Sequence, residues 1–242
     1  MKKNVTIFLS LIIALTILFS KDNPKIGLVL SGGGIKGFGH LGTLYIIDSL
    51  NIPIDYVTGT SIGAISAALY ATGHSSYEID KIGTTAKWEE IFGQTRKRNE
   101  LFYFQKNDDA KFQLTFSLRG FTPTSPISLS SGQYSYEHLL DLFSGYINVK
   151  SYDDLVIPFR CNATDIISGN EVVFKDGSLA RSLRISSSIP MIFSPIEYND
   201  KLLVDGGLIN NLPINLAEDL GAEYIIASNV ISREKSKNEI ID

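Results

Sequence analysis

Ser61 stands in Gly59-Thr60-Ser61-Ile62-Gly63, between a strand-like apolar run and a helix-like one. A serine in this G-x-S-x-G setting fits a nucleophile elbow, a turn so sharp that side chains at Gly59 or Gly63 would strike neighbouring elements. A plain turn with Ser61 as the N-cap of a helix satisfies the same five residues. What else converges on the serine therefore decides its chemistry. The stretch VLSGGGIKGFGHLG, Val29 to Gly42, puts Gly32, Gly33 and Gly34 where a strand-like run passes into a helix. Backbone N–H groups at such a turn attract negative charge. Asp205 ends the run KLLVD, and Gly206 and Gly207 behind it allow close approach of another element.

The negative charge could be a pyrophosphate. Gly32, Gly34 and Gly37 have dinucleotide-fingerprint spacing. That motif needs an acid at the end of the next strand, roughly twenty positions on. Here the strand ends in the serine turn, and Asp55 stands at its beginning. A Walker loop fails as well, because no G-K-[ST] follows the glycines. The other reading joins all three features. Ser61 attacks a carbonyl, the glycine amides hold the oxygen anion that forms, and Asp205 takes the serine proton. Alone, Asp205 also reads as a simple Asp-Gly turn. His40, His74 and His138 all precede Asp205, so none occupies the place of the histidine in a Ser-acid-His order. Three scattered histidines and one cysteine give no metal-ligand spacing.

These residues need a scaffold of alternating strands and helices, and the pattern supplies one. KIGLVL, IDYVTG, PFRCNATDI with EVVFK, KLLVD and EYIIASNV read as strands. Helix-spaced apolar residues recur after the glycine loop, after Gly63, in YSYEHLLDLF and in INLAEDLG. Ser75 and Glu78 have capping-box spacing. This order predicts an α/β domain with a mainly parallel central sheet. Residues 96–133 break the pattern, being polar, aromatic-studded and then Ser/Thr/Pro-rich. They read as a solvated insertion with local hairpins or as a membrane-facing lid. Cys161, in an apolar run, reads as a buried small hydrophobe.

A net charge of −4 leaves no basic footprint for nucleic acid. Residues 1–20 fall outside the domain. MKK and then the largely apolar run of residues 5–19 has the layout of a secretory signal, short for a membrane span. Export is therefore expected; anchoring in a membrane by residues 5–19 is the alternative. The domain then occupies residues 21–242.

GLVLSGGGIKGFGHLG, GTSIG, SSSIPMIFSPI and DGGLINNLP, in this order, resemble the patatin-like phospholipase family from Lys25 to about Ser232. The resemblance implies a three-layer α/β/α fold and a Ser-Asp dyad that hydrolyses acyl esters of lipids, with no metal or other cofactor. Carried over by position, Ser61 is the nucleophile and Asp205 the base. Gly32, Gly33, Gly34 and Gly37 match the oxyanion motif. Lys36 fills a position where the family has a basic residue, bracing the loop or facing a lipid head group. The substrate implied is a membrane phospholipid or lysophospholipid, met at a membrane surface. The alternative is a non-catalytic lipid-binding or storage module on the same fold.

Overall fold

The run after Lys25 forms β1 (Ile26–Leu30), which leads through the glycine loop and a 3-10 turn, Gly34–Gly39, into α1 (His40–Ser49). β2 (Tyr56–Gly59) and α2 (Ile62–Ala71) follow, then α3 (Ser76–Thr85), whose capping box between Ser75 and Glu78 is formed. The structure is a computed structural model and describes residues 24–88, 91, 117–119, 122–124 and 128–231. The expected export segment and most of the 96–133 insertion lie outside these residues. Inside the insertion, β3 (Ser117–Arg119) and β4 (Thr122–Thr124) pair as an antiparallel hairpin.

β5 (Ser128–Ser130) and α4 (Gln133–Leu142) precede the hairpin of β6 (Phe159–Asp165) and β7 (Asn170–Phe174). Next come α5 (Leu179–Ser186), β8 (Met191–Phe193), β9 (Ile196–Tyr198) and β10 (Lys201–Asp205). The chain then forms α6 (Ile214–Asp219) and β11 (Tyr224–Ser228).

The central sheet runs in the order β11-β1-β2-β6-β10-β9, with β7 on the far side of β6. Leu28 and Leu30 point into the main apolar core with residues of α2, α4 and α5. Val29 points the other way, toward the face that α6 covers. Helices therefore lie on both faces, in the expected three layers. Cys161 is fully buried on β6, and burial pushes its thiol pKa far up.

Five of the seven strands, β11, β1, β2, β6 and β9, point one way, as expected of a mainly parallel sheet, and β7 and β10 run against them. The reversal of β10 has a local cause: no helix separates β9 from β10. Asn199 and Asp200, with φ of 49° and 59°, make the two-residue left-handed turn of a tight hairpin.

Candidate active site

The antiparallel return of β10 builds the site. β2 runs along the first half of one edge of β6 and ends with Gly59 opposite Cys161. β10 comes back along the second half of that same edge and ends with Asp205 opposite Ala163. The two C-terminal ends thus meet head to head. Their partners on β6 lie two residues apart, about 7 Å of strand. Each strand end delivers one polar side chain into the gap, Ser61 from one and Asp205 from the other.

Ser61 Oγ donates a hydrogen bond to Asp205 Oδ2 at 2.5 Å. Both residues are nearly buried, 4% and 6% exposed. Burial raises the Asp205 carboxyl above its ordinary value, while bonds from the Ser61 hydroxyl and the Gly207 amide pull the other way. The Gly207 N–H reaches Asp205 Oδ1 at 2.7 Å, so each carboxylate oxygen has its own donor. Ser61 itself has φ 55° and ψ −126°, a conformation costing an L-residue about 1–3 kcal/mol. A Cβ on Gly59 would lie 2.5 Å from the Gly63 carbonyl oxygen, and one on Gly63 would overlap the Ser31 and Leu30 carbonyls. The elbow therefore closes only with glycine at both places.

The glycine loop lies against this elbow: a Cβ on Gly32 would come 3.3 Å from that of Ser61. Gly32 is not one of the free donors expected of it. Its N–H is spent on the Asn211 carbonyl oxygen at 3.0 Å. The amides of Gly33 and Gly34 have no partner among the described residues, and Gly34 lines the cleft into which Ser61 opens. Gly37 serves packing instead, since any Cβ there would strike the Ile62 side chain. Lys36 is exposed, and its side chain makes no bond among the described residues.

Four polar side chains that the motifs did not single out hold the parts together. Asn162, fully buried on β6 between the two strand ends, accepts from Thr60 Oγ1 at 2.8 Å. It donates to the Asn210 carbonyl and to Glu171 Oε1. Asn211 grips Gly32 at both ends, its carbonyl taking the amide and its Nδ2 donating to the Gly32 oxygen at 3.3 Å. Ser186, at the end of α5, accepts the Ser61 N–H at 3.0 Å. Arg184 is buried over the Phe193 ring, and burial holds its pKa down to about 10. It donates to the Gly132 and Ser131 carbonyls and to Ser188 Oγ, while the Ser188 carbonyl takes the Asp205 N–H.

None of the histidines bonds to Ser61 or Asp205. Buried His40 donates from Nε2 to the Ser31 carbonyl at 2.8 Å, so its Nδ1 accepts from Ser228 Oγ at 2.9 Å. It supports the base of the glycine loop and is held neutral, its pKa lowered chiefly by burial. His74 caps the turn after α2 through the Leu69 carbonyl, and His138 lies on α4. Among the described residues no acid, histidine and cysteine cluster could hold a metal ion.

The model of the family described as patatin-like phospholipase matches residues 28–218. Lysophospholipase NTE1 of Meyerozyma guilliermondii is 30% identical over 209 residues, 86% of this chain and 13% of that protein. Neuropathy target esterase sws of Drosophila melanogaster is 32% identical over 212 residues, covering 87% of this chain and 13% of its own length. The chain thus spans only a small part of these relatives. Among solved structures, VipD from Legionella pneumophila aligns over 79% of this chain and 47% of its own, with a TM-score of 0.51 and 16% identity. That likeness concerns the fold.

Proposed function

The chain belongs to the patatin-like phospholipase family, and from that premise we propose a serine acyl hydrolase of membrane lipids, of phospholipase A or lysophospholipase type. The observation that carries this reading is the hydrogen bond from Ser61 to Asp205 beside the main-chain amides of Gly33 and Gly34, which have no partner among the described residues. Ser61 Oγ attacks the ester carbonyl as its proton passes to Asp205 Oδ2. The amides of Gly33 and Gly34 receive the oxygen anion; one such donor is worth about 2.7–4 kcal/mol. When the C–O bond to the alcohol breaks, Asp205 returns the proton to the leaving oxygen. A water then attacks the acyl-serine with Asp205 again as base, releasing fatty acid and restoring the hydroxyl. No step calls on a cofactor.

A fluorophosphonate probe is expected to label the wild-type chain and not Ser61→Ala. Mass spectrometry over phospholipid, lysophospholipid and triglyceride panels should show fatty acid released by the wild type alone. A wild-type chain that binds lipid vesicles but neither reacts with the probe nor releases fatty acid would leave the non-catalytic lipid-binding module as the answer.

The rim of the cleft supports work at a lipid surface. Ile35, which lines the cleft with Ser61, is 84% exposed, and Met191, between the cleft residues Ile189 and Phe193, is 79% exposed. Met191 also keeps a left-handed φ of 70°. Lys36 stands next to Ile35, where a cation can meet lipid phosphate. Ile35→Glu should therefore slow hydrolysis of vesicle lipid roughly tenfold, the scale of losing one buried apolar side chain, and slow a soluble short-chain ester much less. Equal losses on both substrates would count against insertion of this rim. We also propose export through residues 1–20, which the mass of the mature N-terminus checks.

A further inference from the structure

The cleft at Ser61 does not stop at the helix layer. It encloses about 160 Å³ and shares Phe38, Ile62, Ile65, Trp88 and Ile91 with an apolar passage of about 80 Å³. That passage continues between α2, α3 and α4, past Ser66, Leu69, Ile79 and Leu139. Ile82, Ala86, His138 and Leu142 of that passage also line an open basin of about 480 Å³, and Ile91 borders all three spaces. The basin has a polar rim that includes Thr85, Tyr134 and Asp141. Between Ile62 and Leu69, α2 advances about 10 Å, so the passage leads well past any short acyl group held at Ser61.

We propose that these three spaces form one acyl channel, entered at Ser61 and open again between α3 and α4, and that it accepts long chains without an upper length limit. The proposal rests on the hydrolase reading above and adds which acyl groups the site takes. Apolar walls reward each methylene by roughly fourfold in affinity. A closed pocket ends that gain at its floor and rejects anything longer. Here no floor is formed by the described residues. The chain end reaches a basin open to solvent, so a longer chain extends out rather than colliding.

Half-buried Ser66 and Ala86 allow a plug from each side, Ser66 in mid-passage on α2 and Ala86 where the passage borders the basin beyond α3. The full chain is assayed on nitrophenyl butyrate, octanoate, dodecanoate and palmitate, all presented in the same detergent micelles at equal mole fraction. The wild type should show kcat/KM that does not fall from dodecanoate to palmitate. Ser66→Phe and Ala86→Phe should each lower the palmitate-to-butyrate ratio at least tenfold, with the cut-off at a shorter chain for Ser66→Phe. Val156→Phe, on an exposed loop away from the channel, should keep the wild-type ratio. A ratio within twofold of wild type in both plugs, or an equal loss for every chain length, overturns the channel.

A second readout needs no turnover. Trp88 is the chain's one tryptophan and lines the channel. Stearate brominated at mid-chain should quench its fluorescence, at least tenfold more weakly in affinity for both plugs. Unchanged quenching in the plugs rejects the channel even if the protein hydrolyses nothing. Length-dependent quenching without ester hydrolysis keeps the channel and rejects the hydrolase reading.

Discussion

Asp205→Asn is expected to lower kcat on the order of 10³-fold, within the range for a positioned general base, and at neutral pH to melt at a higher temperature than the wild type. Both effects come from one fact: burial raises the carboxyl pKa. A folded-state pKa above the unfolded one means the native state holds the proton more tightly. The stability this confers is present below the ordinary value of 3.8 and is lost as pH rises through the folded value. At neutral pH the wild type therefore carries a buried charge that works against the fold, and asparagine does not. The advantage of the variant should shrink steadily as pH falls toward the ordinary carboxylate range, which thermal melts at several pH values would reveal. A variant that melts lower than wild type at neutral pH would contradict the assigned direction.

The same shift sets the acid limb of activity. Asp205 must be ionised to take the Ser61 proton, so kcat/KM falls as pH drops through its raised pKa. His40→Gln should keep this limb and most of the rate, because glutamine can still donate to the Ser31 carbonyl as His40 does. A limb that moves or vanishes in His40→Gln would transfer the base role to the imidazole.

The candidate residues Ser61 and Asp205 were legible because their signals are local. Glycines flank Ser61 and follow Asp205 because backbones approach there too closely for a side chain, and that constraint is written beside the residue it serves. The residues that hold the parts in register were not legible. Asn162 looks like one polar position in an apolar run, and only the meeting of two strand ends over it gives its amide three polar partners. Asn211 lies 179 residues from the glycine it grips. Helix α5 escaped notice because Arg181, Ser182 and Arg184 interrupt its apolar positions, yet the turn at Ser61 is tied to its last residue. The reversal of β10 was not legible for a different reason. Alternation of strand and helix implies parallel strands, while the Asn199-Asp200 pair, a hairpin signal in its own right, passed as ordinary loop sequence. That one turn reverses β10 and so brings Asp205 to Ser61.

A single methyl group on Gly63 should be nearly as damaging as loss of the base. Gly63 does not need a left-handed φ; what it lacks is room. The added Cβ would meet the Leu30 carbonyl carbon at 2.7 Å and the carbonyl oxygens of Leu30 and Ser31, all of them backbone atoms at the root of the glycine loop. Backbone cannot rotate aside as a side chain can, so the elbow and the loop must separate. Ser61 then moves away from the amides of Gly33 and Gly34, and Gly63→Ala should lose at least the roughly 10²-fold in kcat that one oxyanion donor supplies. Gly34→Ala makes the opposite case. Its φ of +56° costs an alanine about 1–2 kcal/mol, but nothing lies within 4 Å of the new Cβ and the N–H is retained. It should melt lower yet turn over within a fewfold of wild type. Measuring kcat and melting temperature for both variants separates space from backbone strain. If Gly63→Ala kept its rate while Gly34→Ala lost it, the close contact of elbow and loop would not be what aligns Ser61 with its donors.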